Sequence, residues 1–382
     1  MNYFRKAFLG LAAVLCMGSA QADINVGVIL SLTGPGAALG IPERDTLVLW
    51  SKDVGGHKLN VTILDDASDP TAATLAARKL VTENKVDVLV GPSLTPAALA
   101  AMQVAGETKT PMIAIAGGGA IVNPLEGPRR WAFKLPPPED IPLRMMFDTM
   151  KKNGQKRLGI VAMGNAYGQT FVDVAQKIAP EAGIEIVGVE RFGGTDTSFV
   201  SQAIKMIANK PEAVLVVAAG TPAVMPQLEL KRRGFDGTFF QTQAVAGNDY
   251  LRVGGKDVEG TLMPVSPFLV AEQLPDSNPT KASGMAYVKL YEDTYGPDTR
   301  SLFGGCAWDT FLLLEHAATQ ALKTAQPGTP EFKSALRDAL EQTKDLVLTQ
   351  GVYTMSETDH NGADERSQVM VTVKDGKWRY VN

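Results

Sequence analysis

Apolar, β-branched runs alternate with helix-like segments along most of the chain, and this alternation constrains the fold more than any other feature. Strands that alternate with helices form a parallel sheet covered by helices on both faces, because the chain must cross the sheet between neighbouring strands. The first part of the chain predicts an α/β unit with strands at Ile24–Leu30, Leu59–Leu64, Val86–Val90 and Met112–Ile115, and helices near Ala37–Trp50, Thr71–Asn84 and Pro96–Glu107.

A proline-rich break, Leu135-Pro136-Pro137-Pro138, can be neither helix nor central strand. The alternation then restarts, with strands predicted at Leu158–Met163, Ile184–Val189, Ala213–Ala218 and Thr238–Gln241 and helices near Thr170–Ile178, Phe199–Asn209 and Val224–Arg233. The rest predicts helices over about Lys281–Tyr295, Cys306–Lys323 and Pro330–Thr343, then a hairpin of Gln368–Val373 and Lys377–Val381 around Asp375-Gly376. Two α/β units joined by a proline-rich crossover are therefore expected.

Residues 1–22 have the pattern of a cleaved secretory signal peptide. Arg5-Lys6 precede the apolar run Ala7–Met17, which is too short to span a bilayer, and Ala20-Gln21-Ala22 is a small-x-small cleavage site. The mature chain would begin at Asp23. Lipidation of Cys16 stays open, although a bulky leucine stands where a lipidated cysteine prefers a small residue.

The net charge and the cysteine content further limit the kinds of protein that this chain can be. The 37 basic and 41 acidic residues give a formal net charge of −4, and no lysine- or arginine-rich run occurs, which argues against a nucleic-acid partner. Of the two cysteines, only Cys306 would remain after cleavage, so no intramolecular disulfide is possible, and we expect this thiol to be a buried packing residue. These features fit a bacterial periplasm.

A glycine-rich run, Gly34–Gly40, follows the first strand and opens a helix. A dinucleotide site needs G-x-G-x-x-G, and this run has one residue too many, although Asp65-Asp66 stand where a ribose-binding acid would lie. A Rossmann-type oxidoreductase therefore remains a distant alternative. The simpler interpretation is a turn that lets the helix begin close to the strand and presents N–H groups to an anion.

Signals for a metal, a cofactor or catalysis are weak. The Asp65–Pro70 segment lacks the further acidic ligands of a calcium loop, so strand-end polar residues and a helix cap explain it better. His57, His316 and His360 are far apart in sequence, and no nucleophile elbow or zinc motif occurs. We predict no enzyme activity, no cofactor and no metal.

Polar and glycine-rich loops instead follow the predicted strands. Gly91–Pro96 and Ala116–Ala120 each come after a strand of the first unit, as does the glycine-rich run. In open parallel sheets, ligands bind beyond the carboxyl ends of the strands. These loops would therefore present hydroxyls and backbone N–H groups along one rim.

Several motifs together resemble the Leu/Ile/Val-binding family of periplasmic receptors of ABC importers. They are Val28-x-x-Ser31-Leu32-Thr33-Gly34-Pro35, Asp65-Asp66-Ala67-Ser68-Asp69-Pro70, Gly91-Pro92, Pro111–Ala120 and Asn165-Ala166-Tyr167-Gly168. The resemblance implies a type I periplasmic-binding-protein fold: two Rossmann-like lobes joined by three hinge crossovers, with the ligand in the cleft. It assigns residues 23–137 and 268–347 to lobe 1, and residues 138–267 and 348–382 to lobe 2.

The resemblance also implies a ligand site. The ligand carboxylate would be held by the Thr95 hydroxyl, with Ser93 nearby, and by backbone N–H groups of Ala116, Gly117 and Gly118. We expect the Thr95 hydroxyl to face the cleft, so that its removal would leave the free protein's stability nearly unchanged. Other positions matching the family's site are Leu39, Tyr167, Thr221, Gln243 and Ala244.

Departures from the family pattern bear on the ligand. Amino-acid binders of the family carry an acidic residue for the ligand's α-ammonium, but the matching stretch Gln241–Asn248 has none. The loop Ala219–Pro222 lacks the aromatic residue common in the family, and Leu39 stands where many members have another bulky aromatic. We therefore expect a monomeric periplasmic receptor that delivers a small carboxylate, aromatic or otherwise without an amino group, to an ABC permease in the inner membrane. A branched-chain amino acid is the alternative, since a carboxylate from Glu43 or Asp196 could reach the cleft.

Overall fold

The computed structural model of the protein describes residues 22–381, so the predicted signal peptide lies outside the described residues apart from Ala22. Two mainly parallel sheets form the centres of two lobes, and helices cover their faces. This confirms the predicted two-lobed α/β architecture. Within 22–381, no helix combines the length and apolar character that crossing a membrane requires.

The first sheet, in lobe 1, has six strands. It is built from β1 (Ile24–Leu30), β2 (Asp53–Val54), β3 (His57–Asp65), β4 (Val88–Val90), β5 (Met112–Ala114) and β6 (Ala132–Lys134), with helices α1 (Ala37–Leu47), α2 (Pro70–Thr82) and α3 (Thr95–Glu107) between them. The strand order is β2-β3-β1-β4-β5-β6, and every pair except β2–β3 is parallel. Because helices cover both faces, β1 is buried over nearly its whole length.

The second sheet, in lobe 2, has seven strands. Its elements in chain order are α4 (Asp140–Lys152), β7 (Arg157–Met163), α5 (Ala166–Ile178), β8 (Glu185–Phe192), α6 (Val200–Ala208), β9 (Ala213–Val217), α7 (Met225–Arg232), β10 (Thr238–Gln241), α8 (Asn248–Gly254) and β11 (Leu262–Val265). The C-terminal hairpin of β14 (Val369–Lys374) and β15 (Lys377–Tyr380) adds two antiparallel strands, giving the order β15-β14-β11-β10-β9-β7-β8.

The remaining elements lie between β11 and β14. They are α9 (Lys281–Tyr295), α10 (Leu302–Ala321), α11 (Pro330–Glu341) and the small hairpin of β12 (Leu346–Val347) and β13 (Val352–Tyr353). Helix α10 packs along α1 of lobe 1, and the chain therefore passes between the lobes three times, after β6, after β11 and before β14. These contacts support the proposed boundaries, which stay a prediction.

Buried side chains of one crossover reach the carbonyls of another. Asn361 Nδ2 donates to the carbonyls of Lys134 and Pro136, each at 2.8 Å, and the Tyr353 hydroxyl donates to the Leu135 carbonyl at 3.0 Å. The first and third crossovers are therefore held together by buried hydrogen bonds, which proline-rich backbone cannot supply by itself.

The strand order of each sheet reverses at one place, and ligands of open α/β sheets bind at such switch points. In the first sheet β3 and β4 lie on opposite sides of β1, and in the second β8 and β9 lie on opposite sides of β7. The loops that follow β1, β4, β7 and β9 therefore flank the two switch points.

Four substantial elements lie where no element was predicted, namely β6, α4, α8 and β11. Proline hides two of them: α4 begins at Asp140 directly after the proline-rich break and contains Pro142 in its first turn, where a missing N–H costs nothing. Strand β11 contains Pro264 in a run of only four residues.

Candidate functional site

A cavity of about 300 Å³ lies between the lobes, where the carboxyl ends of the two parallel sheets face each other. Its walls come from loops that follow β1, β3, β4 and β5 in lobe 1 and β7, β8, β9 and β10 in lobe 2, together with the start of α10. Both switch points open into this cavity, which we call the interlobe cavity.

The Thr95 hydroxyl stands at the start of α3 on the lobe 1 wall, and the residue is 2% exposed. Its Oγ1 accepts a hydrogen bond from the Gly118 N–H at 3.0 Å. Because that bond occupies the oxygen as an acceptor, the hydroxyl proton can be donated to a ligand. The N–H groups of Ala116 and Gly117 have no acceptor within residues 22–381, so this loop also offers backbone donors.

Glycine is required at position 118, where the loop that follows β5 meets α3. A Cβ atom on Gly118 would lie 2.4 Å from Cγ2 of Thr95, which no real contact tolerates. The small residues of this loop therefore let its backbone N–H groups approach the hydroxyl and the cavity.

A buried acid, Glu43, lies in the same wall on α1. Its Oε2 accepts a hydrogen bond of 2.5 Å from Ser93 Oγ, which in turn accepts from the Ser31 N–H, whereas Oε1 has no partner among the described residues. Burial raises the pKa of Glu43 to about 8; the Ser93 hydrogen bond opposes this and the charge of Asp66 adds to it. At neutral pH the group is therefore mostly a neutral carboxylic acid.

The lobe 2 wall is built on Tyr167 and Gln243. The Tyr167 hydroxyl donates to Thr242 Oγ1 at 2.9 Å, and burial raises the pKa of the phenol well above its usual value. The Gln243 Oε1 accepts from Gln368 Nε2 at 2.9 Å and from Ser266 Oγ at 3.4 Å. With its oxygen taken by the lobe, Gln243 presents its amide NH₂ as the remaining hydrogen-bonding group.

Most of the remaining lining is apolar. The side chains come from both lobes and from α10: Leu39, Leu94, Ile115, Met163, Phe171, Ala219, Ala244, Leu302 and Phe303. Cys306 also lies in this lining, and its Sγ is 3.0 Å from Gln350 Oε1. Burial raises the pKa of this thiol, so it is an uncharged packing group, as predicted. The cavity therefore suits a compact apolar body with one polar end.

The two lobes touch at two places near the cavity. A Cβ on Gly117 of lobe 1 would lie 3.1 Å from Cε2 of Tyr167 in lobe 2. A Cβ on Gly220 of lobe 2 would lie 2.4 Å from the Pro35 carbonyl oxygen of lobe 1. The structure is therefore that of a closed cleft.

Seven of the ten predicted site residues line the interlobe cavity, namely Leu39, Ser93, Thr95, Gly117, Tyr167, Gln243 and Ala244. Ala116 is buried behind them, and the Gly118 N–H is bonded to Thr95 rather than free for a ligand. Thr221 begins a short 3₁₀ turn at Thr221–Val224 beside the cleft contact of Gly220. Thr95 lines the cavity as expected, but its hydroxyl oxygen also has this partner within lobe 1, so the structure does not support the expectation that removing the hydroxyl leaves stability unchanged.

Glu43 is the main site residue that the predicted set lacks. It follows Leu39 by four positions on α1, and residues at that spacing share one face of a helix. That periodicity could have placed it in the cavity. Asp196, the other acid considered, instead accepts a hydrogen bond from the Gly193 N–H at 2.8 Å and does not line the cavity.

The glycine-rich run and the acidic loop serve the fold. A Cβ on Gly40 would lie 2.2 Å from the Ser31 carbonyl oxygen, so glycine lets α1 pack against the end of β1. Asp65 accepts hydrogen bonds from Leu32 and Thr33, and Asp69 caps α2 by accepting from the Ala72 N–H at 2.8 Å. Both predictions, a close turn and a helix cap, are confirmed.

Comparisons with known proteins agree with this geometry. The family model described as "Periplasmic binding protein" matches residues 23–377. An extracellular ligand-binding receptor from Rhodopseudomonas palustris is 43% identical, with a TM-score of 0.91 over 95% of this chain and 100% of that one.

More distant relatives span nearly the same length. The Leu/Ile/Val-binding protein homolog 3 of Brucella melitensis is 24% identical over 94% of each chain. A solute-binding protein of an R. palustris ABC transporter, solved in complex with benzoate, shares the fold at 21% identity and a TM-score of 0.80, covering 94% of this chain and 96% of that one. The chain therefore belongs to the periplasmic binding protein family and, within it, to the Leu/Ile/Val-binding family.

Proposed function

We propose that this protein is the periplasmic solute-binding component of an ABC importer. It captures a small carboxylate with an apolar or aromatic body and no amino group, closes around it, and delivers it to a permease in the inner membrane. The mature protein acts as a monomer after removal of the signal peptide.

The proposed ligand class rests on one observation, namely that hydrogen-bond donors dominate the polar lining of the interlobe cavity. The Thr95 hydroxyl and the N–H of Gly117 can donate to a carboxylate, and the Gln243 amide can donate from lobe 2. The one acidic side chain among the described lining residues is Glu43, which burial keeps mostly protonated at neutral pH.

An α-ammonium group would find no ready partner in this lining. An unpaired buried ammonium costs several kcal/mol. Ionising Glu43 at pH 7, one unit below its pKa of about 8, would cost about 1.4 kcal/mol before any ion pair forms. An aromatic acid avoids both costs and gains roughly 25 cal/mol per Å² of apolar surface buried. The benzoate complex of the fold relative supports this assignment.

A branched-chain amino acid is the second candidate, because Glu43 Oε1 lies at the cavity without a partner among the described residues. An ammonium placed there would lower the pKa of Glu43 and form a buried ion pair. The Leu/Ile/Val-binding protein homolog 3 of Brucella melitensis, by its name, favours this alternative.

A thermal-shift panel separates the two candidates. We expect benzoate and cinnamate to raise the melting temperature of the protein more than leucine, isoleucine or valine do. If leucine stabilises strongly while the aromatic acids have no effect, and if Glu43→Gln abolishes the leucine response, the amino-acid function replaces the one proposed.

A further inference from the structure

Lys134, the last residue of β6, is fully buried directly behind the interlobe cavity. Its Nζ donates to three backbone carbonyls: those of Gly117 at 3.1 Å, Pro136 at 2.5 Å and Pro137 at 3.1 Å. Gly117, Pro136 and Pro137 all line the cavity. The ammonium is therefore separated from the cavity by a single layer of backbone.

This cation has no ion-pair partner, since no carboxylate oxygen lies within 4.0 Å of Nζ in the described part of the chain. The acids whose charges act on it are engaged elsewhere. Glu139 accepts from the Gly119 N–H at 2.6 Å, and Asp359 accepts from the N–H groups of Asn361 and Gly362. A buried charge whose direct contacts are all carbonyl oxygens is costly, and a ligand anion in the cavity would add to the partial compensation that Glu139 and Asp359 supply from farther away.

A continuous chain of hydrogen bonds joins Lys134 to the cavity. Its Nζ donates to the Gly117 carbonyl, the N–H of the same peptide group belongs to Gly118, and that N–H donates to Thr95 Oγ1. Each bond points the same way, so the ammonium polarises the peptide and the peptide polarises the hydroxyl. The Thr95 hydroxyl is thereby a stronger donor toward an anion than an isolated threonine.

We propose that Lys134 is the buried countercharge for the ligand's carboxylate, acting through the Gly117–Gly118 peptide group and Thr95. It is a positioning and specificity-determining residue that does not touch the ligand. This rests on the proposed function, because it requires an anionic ligand at the Thr95 end of the cavity.

The protonation of Lys134 gives a second consequence. Burial lowers its pKa to about 8, and the charges of Glu139 and Asp359 oppose this shift. A carboxylate arriving nearby favours the ammonium, so ligand binding near pH 8 takes up protons. Glu43 also lines the cavity with a pKa of about 8, so proton uptake must be measured with Glu43 replaced.

The test compares benzoate with benzamide, which has the same ring but no charge. Substituting Lys134→Met should weaken benzoate binding on the order of 10- to 100-fold, the effect of a unit charge roughly 7 Å away at an effective dielectric constant of about 20. The dissociation constant of benzamide should change by less than about threefold. Lys152→Met, at the exposed C-terminal end of α4, is the matched control and should leave both unchanged.

A second measurement does not depend on the folding of Lys134→Met. Calorimetric titration of benzoate into the Glu43→Gln variant at pH 8, in HEPES and in Tris, should show net proton uptake. No uptake, or an equal loss of benzoate and benzamide affinity in Lys134→Met, would overturn the role of Lys134.

The ligand class and the role of Lys134 can fail separately. If leucine binds and benzoate does not, the proposed ligand class is refuted. The role of Lys134 is then tested with leucine and leucinamide in place of benzoate and benzamide. If no carboxylate of this set binds the wild-type protein, both proposals are refuted.

Discussion

Replacing Thr95 with valine tests the carboxylate anchor most sharply, because valine keeps the shape of threonine and removes only its hydroxyl. In the structure this hydroxyl has two roles. Its oxygen accepts the Gly118 N–H at 3.0 Å, and its proton is available to the interlobe cavity. Thr95→Val should therefore change both the stability of the free protein and the affinity for a carboxylate.

The two effects have separate magnitudes. Removing the acceptor leaves the Gly118 N–H unpaired in a buried place, which should lower the free energy of unfolding by about 1–3 kcal/mol. Removing the donor deletes one hydrogen bond to a charged ligand, worth about 1.5–3 kcal/mol, or about 10- to 150-fold in affinity.

Urea unfolding of the ligand-free protein measures the first effect, and calorimetric titration with benzoate measures the second. Thr95→Ser, which retains the hydroxyl, should restore most of both. Thr82→Ala is the matched control, because the exposed Thr82 hydroxyl donates to the Arg78 carbonyl on α2, away from the cavity. Benzoate affinity unchanged within about twofold in Thr95→Val would refute this anchor.

Three further predictions test the buried acid, the closure of the cleft and a helix cap. Glu43 has a folded pKa of about 8, above its ordinary value of 4.5, so the folded state keeps a proton that the unfolded state has lost between these pH values. The free energy of unfolding should therefore fall by about 3–4 kcal/mol from pH 5 to pH 8, and urea unfolding of Glu43→Gln should lack this slope. Gly220 has φ +75°, and a Cβ there would lie 2.4 Å from the Pro35 carbonyl oxygen, so Gly220→Ala should hinder closure of the cleft. On adding benzoate, small-angle scattering should show less compaction of this variant than of the wild type. Equal compaction would count against this contact. Asp69 caps α2 through the Ala72 N–H, so Asp69→Ala should lower the free energy of unfolding by about 1 kcal/mol, whereas no change would mean that the cap is not needed.

Local signals in the sequence predicted most of the fold. Strand β1 has its predicted ends, the Asp69 cap is present, and Asp375 and Gly376 have the positive φ values of a tight hairpin turn. Each of these depends on residues a few positions apart. Elements β6 and α4 were missed because their neighbours, Pro136–Pro138, hide the pattern.

The site was predictable only in part, for a physical reason. Strand-end loops placed Thr95 and Gly117 on one rim, because the carboxyl ends of parallel strands share an edge. The partners that set the chemistry lie far apart in sequence: Gln368 satisfies Gln243 from 125 positions away, and Lys134 acts through the Gly117 carbonyl. Nothing in the local sequence indicates such contacts.

Calorimetric titration of the mature protein with benzoate and with leucine distinguishes a receptor for aromatic acids from one for amino acids, because the two ligands share a carboxylate and only leucine carries an ammonium group. We expect benzoate to bind with a stoichiometry of one and more tightly than leucine. Submicromolar binding of leucine with no heat from benzoate would contradict the proposed ligand and leave the protein a receptor for amino acids.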